Sequence, residues 1–479
     1  MLKRQSVLFI LMAFLFVLVS PSKSSAEIVD LTGGIKNEYE YEEYIFILGQ
    51  PMRFTATSND VKITVSEKTN KITETYKIKM KSADGATLDR TFTYDYDVNN
   101  YDEIGQSTVV TSDKKLKFKE TIKYQDATIE LKDYQISKSY VTDKRPASDY
   151  SSGNAVIRKT YEIKYKNGQT QTVVVNGSGQ DASYENFWGA AETQIMEYVF
   201  DYPDGTVGTV TSRVNYAKSR TLNYEENLGT LASFNGGYAM NSEADTISEY
   251  VYELPKVSGK IEFDSQYMPK VERLIVPKFR DLSANWAKPS IEKLYSLGIF
   301  DDQSNFFSPN TAMKRYDFAV AVGKAIDLRV EVGNTKKKNN TKPTIFKDVK
   351  RTRANYEYLV AAYNKGVIKG VTAEKFNPEG NLTREQAATI IIRALGLEGK
   401  APDPGYSTSY KDDSKISNYA RDGVHVITQL GIMSGSGGYF KPHDTLTRAQ
   451  AAAIIERFLQ YLENDLKQNY RDDILFFEY

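Results

Sequence analysis

Three arginines carry the clearest chemistry in this chain. Arg315, Arg384 and Arg448 each stand six residues after a proline, Pro309, Pro378 and Pro442, and are spaced 69 and then 64 residues apart. Each opens a stretch with helical apolar spacing, 318–326, 387–395 and 451–462. A cation at a helix start opposes the helix dipole, so helix stability alone does not account for it. A guanidinium is a planar, permanently charged fork suited to carboxylates. The same residues precede each arginine in the same order. An aromatic-x-Asp element supplies Asp281, Asp348 and Asp412 as hydrogen-bond acceptors. Flat aromatics follow at Trp286 and Tyr419, with Ala354 at the equivalent place in the second copy. Gly366, Gly370, Gly431 and Gly435 admit close approach of backbone. Phe307-Ser308-Pro309, Phe376-Asn377-Pro378 and Phe440-Lys441-Pro442 then lead to the arginine.

The elements that position these residues read as helix–loop–helix, three times over. Apolar spacing at 291–297, 358–364 and 424–430 gives each copy its first helix. A unit of this length, copied three times, buries its apolar face only against its neighbours. Structural readings stand beside the chemical ones. Thr383-x-x-Gln386 and Thr447-x-x-Gln450 are capping boxes. The aspartates suit helix caps, and the glycines suit helix ends.

These residues resemble the S-layer homology domain, a module that holds bacterial surface proteins on the cell wall; the resemblance covers about 278–465. It implies a mainly helical pseudo-threefold prism. Grooves between its repeats take a secondary wall polysaccharide through a sugar bearing a pyruvate ketal. It assigns the ketal carboxylate to Arg315, Arg384 and Arg448, and sugar hydroxyls to Asp281, Asp348 and Asp412. The sugar's C–H face falls to Trp286 and Tyr419, and close backbone approach to Gly366, Gly370, Gly431 and Gly435. Copy one departs from the pattern, with Lys314 in place of the capping Thr and Asp301-Asp302 where a Gly is usual. On that ground the grooves of Arg384 and Arg448 are expected to be stronger than that of Arg315. A solvated insertion, Glu331–Lys342, separates copies one and two.

The chain starts as an exported protein does. Lys3 and Arg4 precede an apolar run, Val7–Val19, and Ser24-Ser25-Ala26 offers cleavage after Ala26. That run is shorter than the roughly 20 residues a bilayer span requires, so no membrane span is expected once the signal is removed. Cysteine is absent, which excludes disulfides and thiol chemistry. The net charge of zero divides into −9 over 27–277, +6 over 278–479 and +3 in the signal.

Residues 27–277 alternate with period two and turn at Asp84-Gly85, Asn167-Gly168 and Asp204-Gly205, a pattern of antiparallel hairpins. A fourth pair is read at 116–124 and 128–131, and a linker at 145–153. The expected organisation is multidomain: signal 1–26, all-β regions 27–147 and 148–277, repeats 278–335, 343–402 and 406–465, and a tail 466–479. Both histidines, His425 and His443, lie in the third repeat, and no nucleophile elbow, phosphate loop or metal-spaced ligand set is present. Acidic pairs such as Asp95/Asp97 and Glu225/Glu226 read as solvated strand residues. The sequence thus points to a Gram-positive cell-wall protein without catalysis, cofactor, metal or nucleic-acid partner, displaying a β-rich module. A tethered polysaccharide hydrolase and an S-layer lattice subunit are the alternatives.

Overall fold

A computed structural model describes residues 31–101, 105–112, 116–226, 236–328 and 344–465. The signal with its cleavage point at Ala26, the insertion at 331–342 and the tail at 466–479 lie outside the described residues. Among the described residues, no helix is long and apolar enough to cross a membrane.

Among the described residues, the N-terminal part forms a single antiparallel sheet of sixteen strands, almost all paired with their neighbours in sequence. The four expected hairpins are present. Lys71–Lys81 pairs with Thr87–Tyr101, Lys117–Tyr124 with Ala127–Lys144, Asp149–Tyr165 with Thr170–Glu185, and Gly189–Asp201 with Val207–Glu225. In the three turns with an Asx-Gly pair only the glycine takes positive φ: Gly85 at 88°, Gly168 at 87° and Gly205 at 82°. That is the three-residue loop with a left-handed glycine, which side chains disfavour.

The stretch 145–153, read as a linker, is instead part of the sheet. Arg145 N–H donates to Ser148 O (3.0 Å), closing a tight turn. Asp149–Tyr165 then pairs along its length with both Ala127–Lys144 and Thr170–Glu185. Gly153 is there for space: a Cβ would stand 2.6 Å from Tyr140 Cβ and 2.9 Å from Asp181 Oδ1.

The sheet folds over on itself. Ser248 Oγ donates to Gly33 O (2.7 Å) and the Tyr250 hydroxyl to Thr32 O (2.9 Å). Tyr44, in the strand Glu40–Ile45, and Phe46, just past it, pack tilted against Tyr250, with ring centroids 5.9 and 5.4 Å away. The core between the two ends is aromatic, with Tyr41, Phe54, Phe92 and Tyr250 fully buried. It also holds an ion cluster. Arg90 forks onto Glu43 at 2.7 and 2.9 Å and reaches Glu120 through Nε. Tyr41 donates to Glu43 (2.7 Å) and Tyr161 to Glu120 (2.8 Å).

Among the described residues, the C-terminal part contains six α-helices: α1 Lys288–Ser296, α2 Arg315–Ala325, α3 Tyr356–Asn364, α4 Arg384–Leu395, α5 Arg421–Gln429 and α6 Arg448–Gln460. A three-membered ring of backbone bonds marks its pseudo-threefold axis. Leu382 N–H donates to Met313 O (2.9 Å), Leu446 N–H to Leu382 O (2.9 Å) and Met313 N–H to Leu446 O (2.8 Å). All three side chains are buried. Each repeat therefore completes the next, and the third closes on the first. The chain is a β-rich region followed by a helical repeat module.

The two parts touch at the end of the module where α4 and α6 finish. Ala147, Tyr184 and Trp188 from the sheet join the helical core. The Arg145 side chain lies against Gly396, just past α4. Asn186 Nδ2 donates to Leu462 O beyond α6 (3.0 Å).

Candidate functional site

The three arginines begin α2, α4 and α6, and each helix start is held by the following repeat. Arg315 N–H donates to Gly380 O (2.9 Å) and Tyr316 N–H to Pro378 O (3.2 Å). Arg384 and Glu385 do the same to Asp444 O and Pro442 O, and Arg448 and Ala449 to Thr311 O and Pro309 O. These carbonyls satisfy amides that a helix leaves open at its start. Thr383 and Thr447 add the expected capping boxes, while Lys314 makes no side-chain cap. The neighbour's backbone holds the helix start of copy one as it does the other two, and Arg315 is the most buried of the three arginines, at 9% exposure.

The guanidinium groups repeat one geometry across the repeat boundaries. Arg315 Nε donates to Phe376 O (3.1 Å), Nη2 to Lys369 O (2.7 Å), and the group stands 4.8 Å over the Phe376 ring. Arg384 Nε donates to Phe440 O (2.8 Å), Nη2 to Ser434 O (2.7 Å), with the ring of Phe440 at 4.9 Å. Arg448 Nε donates to Phe307 O (2.8 Å), with that ring at 4.5 Å, but its Nη2 meets the carboxylate of Asp302 at 3.2 Å. Arg315 and Arg384 form no ion pair with a described carboxylate. Burial pushes both guanidinium pKa values down; at Arg315 Tyr419 opposes this and Arg393 adds to it, and at Arg384 Tyr410, Asp444 and Asp412 oppose it. A desolvated cation without a counter-ion is costly unless an anion arrives.

The aspartates are engaged by the backbone of their own repeats. Asp281 accepts from Phe307 N–H (3.0 Å) and Ser308 N–H (2.7 Å). Asp348 accepts from Phe376 and Asn377 at 2.9 and 2.7 Å, and Asp412 from Phe440 and Lys441 at 2.9 and 2.8 Å. The amides they accept from belong to a loop and not to a helix start. Each pins the Phe-x-Pro loop, whose middle residue takes positive φ (Ser308 58°, Asn377 61°, Lys441 58°). That loop in turn supplies the carbonyl that aims the arginine. At Asp348, burial pushes the carboxyl up, but the Phe376 and Asn377 amides outweigh it and hold the group below its usual range. Asp412→Ala should leave a buried amide without an acceptor, a loss of about 1–3 kcal/mol. Denaturant unfolding should show that loss, with a smaller one for the exposed Asp348→Ala.

The glycines divide into two kinds. Gly366 and Gly431 end α3 and α5 with φ of 72° and 69°, and nothing lies near where a Cβ would project. They are helix ends. Gly370 and Gly435 are crowded by loop atoms, a Cβ on Gly370 falling 2.6 Å from Lys375 O. They keep tight the loops whose preceding carbonyls, Lys369 O and Ser434 O, hold Arg315 and Arg384.

Trp286 and Tyr419 are exposed, at 64% and 51%. The Tyr419 hydroxyl donates to Glu385 (3.0 Å). Burial, with Glu385 adding, raises the Tyr419 pKa, and Arg315 and Arg393 oppose that rise, which places the ring beside the Arg315 groove. Applying the same threefold relation places Trp286 with Arg384 and Ala354 with Arg448. The acidic residues of copy one therefore lie in the Arg448 groove, 146 residues away in sequence, and not in the Arg315 groove.

Residues 278–319, 345–388 and 409–452 match the family model of the S-layer homology domain. The C-terminal part of this chain is a set of three S-layer homology repeats. The chain is 33% identical over 178 residues to an endoglucanase of Bacillus sp. (strain KSM-635), covering 36% of this chain and 18% of that protein. It is 30% identical over 223 residues to an amylopullulanase of Thermoanaerobacterium thermosulfurigenes, covering 45% and 11%. It is 29% identical over 199 residues to the S-layer protein EA1 of Bacillus anthracis, covering 41% and 22%. The chain thus spans less than a quarter of the length of each of these relatives. The S-layer homology repeats anchor the protein at the Gram-positive cell surface, and this part of the chain is a non-catalytic anchor.

In the sheet, one member of each acidic pair noted in the sequence lies against a basic residue of another strand. Asp95 pairs with Lys71 (2.9 Å), and Glu225 lies 3.6 Å from Arg273. The Arg90 cluster was missed by the sequence reading, although its signal is present. Arg90 stands in phase with Leu88, Phe92 and Tyr94, and Glu43 with Tyr41 and Ile45. One further carboxyl departs from the usual range: burial pushes Glu192 up to about 8, with Asp181 and Glu74 adding and Lys138 opposing.

Proposed function

We propose that the three-repeat module grips a pyruvylated secondary wall polysaccharide non-covalently, with the ketal carboxylate seated on a groove arginine. One observation carries the reading. Arg315 and Arg384 are partly desolvated cations, held by carbonyls of the neighbouring repeat, and neither forms an ion pair with a carboxylate among the described residues, although Asp444 and Asp412 lie near enough to Arg384 to act on it. A ligand carboxylate supplies that charge, and the half-exposed aromatic beside it supplies a face for the sugar ring. Polarity of the module supports display. The arginines sit at the starts of α2, α4 and α6, whereas the sheet docks where α4 and α6 end. A helix of twelve residues separates the two ends by about 18 Å, so the sheet is carried away from the wall.

Removing pyruvate ketals from purified walls should abolish sedimentation of the full-length mature protein with them, and a free pyruvate-ketal sugar should compete. Undiminished binding after that treatment would rule the carboxylate mechanism out. We read residues 31–274 as a display module without hydrolytic activity. Glu192 favours a second reading, a tethered polysaccharide hydrolase, because burial raises its carboxyl towards the range of a general acid and Asp181 is near enough to add to that rise. Polysaccharide turnover lost in Glu192→Gln would establish that reading in place of ours.

A further inference from the structure

We infer that Asp302 is an internal stand-in for the ligand carboxylate, so that the groove of Arg448 is closed to anions and the module binds through two grooves. The inference rests on the reading of Arg315 and Arg384 as carboxylate sites.

Asp302 occupies the position of Gly370 and Gly435, the fourth residue after the glycine that ends the first helix of each repeat. In copies two and three the carbonyl of the residue before that glycine, Lys369 or Ser434, meets the guanidinium Nη2. In copy one it is met by the Asp302 carboxylate, Oδ2 at 3.2 Å from Arg448 Nη2. The other Asp302 oxygen accepts from the Tyr295 hydroxyl, which fixes its orientation. The rest of the groove is neutralised in the same way. Asp301 accepts from Lys324 (2.7 Å) and from Asn355 (3.2 Å). Arg353 lies between Glu379 (2.6 Å) and Asp317 (3.7 Å), and its guanidinium stacks on Tyr316 at 3.8 Å. Burial raises the Asp317 carboxyl pKa, with Arg353 and Arg448 opposing and Asp302 adding. An arriving carboxylate would displace Asp302 and meet a second acidic group, Asp317. The place of Trp286 and Tyr419 is taken by Ala354, so no aromatic face is offered in compensation. Charge, space and stacking therefore agree that this groove differs from the other two.

The test is calorimetric titration of the full-length mature protein with a pyruvate-ketal monosaccharide. Two sites are expected in the wild type, and three in both Asp302→Gly and Asp302→Asn, the second variant preserving side-chain shape. Arg448→Ala introduced into Asp302→Asn should return the count to two. Binding to purified walls should tighten on the order of tenfold in the Asp302 variants, since a third linked site adds avidity. Three equivalent sites in the wild type, or two sites in every variant, would overturn the inference alone. Absence of binding in all of these proteins would overturn it together with the reading of the arginines.

Discussion

Arg90→Ala is expected to lower stability by about 3–5 kcal/mol, the range for leaving a buried charge without its partner. Arg90 is 2% exposed, and Glu43 and Glu120 are equally buried on either side of it. Its loss strands two carboxylates in an aromatic core, where Lys159 is the remaining cation acting on Glu120. Sign of the pH dependence gives the sharper readout. In the wild type, burial alone would raise the Glu120 carboxyl, but Arg90 and Lys159 outweigh it and hold the group below its ordinary 4.5. The folded state then binds fewer protons than the unfolded state, so this group adds stability above the ordinary value, lost as pH falls through the folded one. Without Arg90, burial dominates and the folded state binds more protons than the unfolded state. Stability of Arg90→Ala should therefore rise as pH falls from 7 towards 5. Denaturant unfolding of both proteins between pH 5 and 8 measures this. A variant as stable as the wild type at pH 7, or one with an unaltered slope, would show that the cluster does not hold the sheet closed.

What could be read from the sequence follows from which interactions are local. The hairpins were legible because Asx-Gly sits between runs of period-two alternation, and both signals lie within about fifteen residues. The repeats were legible because proline and arginine keep one offset through three copies. The cluster around Arg90 was legible in principle, since Leu88, Phe92 and Tyr94 are in phase with it; a charge in an apolar phase marks a buried partner elsewhere. The turn at 145–148 was misread because Pro146, Ser148 and Gly153 carry the composition of a linker, while strand pairing on both sides outweighs it. The assignment of groove partners was not legible. Each groove joins an arginine to the loop of the next repeat, and the third joins residue 448 to residue 302. Only closure of the ring decides that Asp302 faces Arg448 and not Arg315.

On the reading proposed above, that closure moves the weak groove from Arg315 to Arg448 and gives a second large effect. Arg384→Ala should weaken wall binding roughly tenfold to hundredfold, the equivalent of about 1.5–3 kcal/mol for a hydrogen bond to a charged group. Arg315→Ala should weaken it to a similar degree, because Arg315 is held by two carbonyls of the next repeat and has Tyr419 beside it. Arg448→Ala should have little effect on binding, since its charge is already matched by Asp302. Its effect should fall on stability instead, because the link from Nε to Phe307 O helps close repeat three on repeat one. Binding isotherms on purified walls separate the three variants, with circular dichroism to show that each is folded. If Arg448→Ala weakens binding as much as Arg384→Ala, the Asp302 pair opens in the presence of ligand and all three grooves share the load. If Arg315→Ala alone is without effect, the missing Thr cap matters after all, and the carbonyls of Gly380 and Pro378 do not hold that helix start firmly enough.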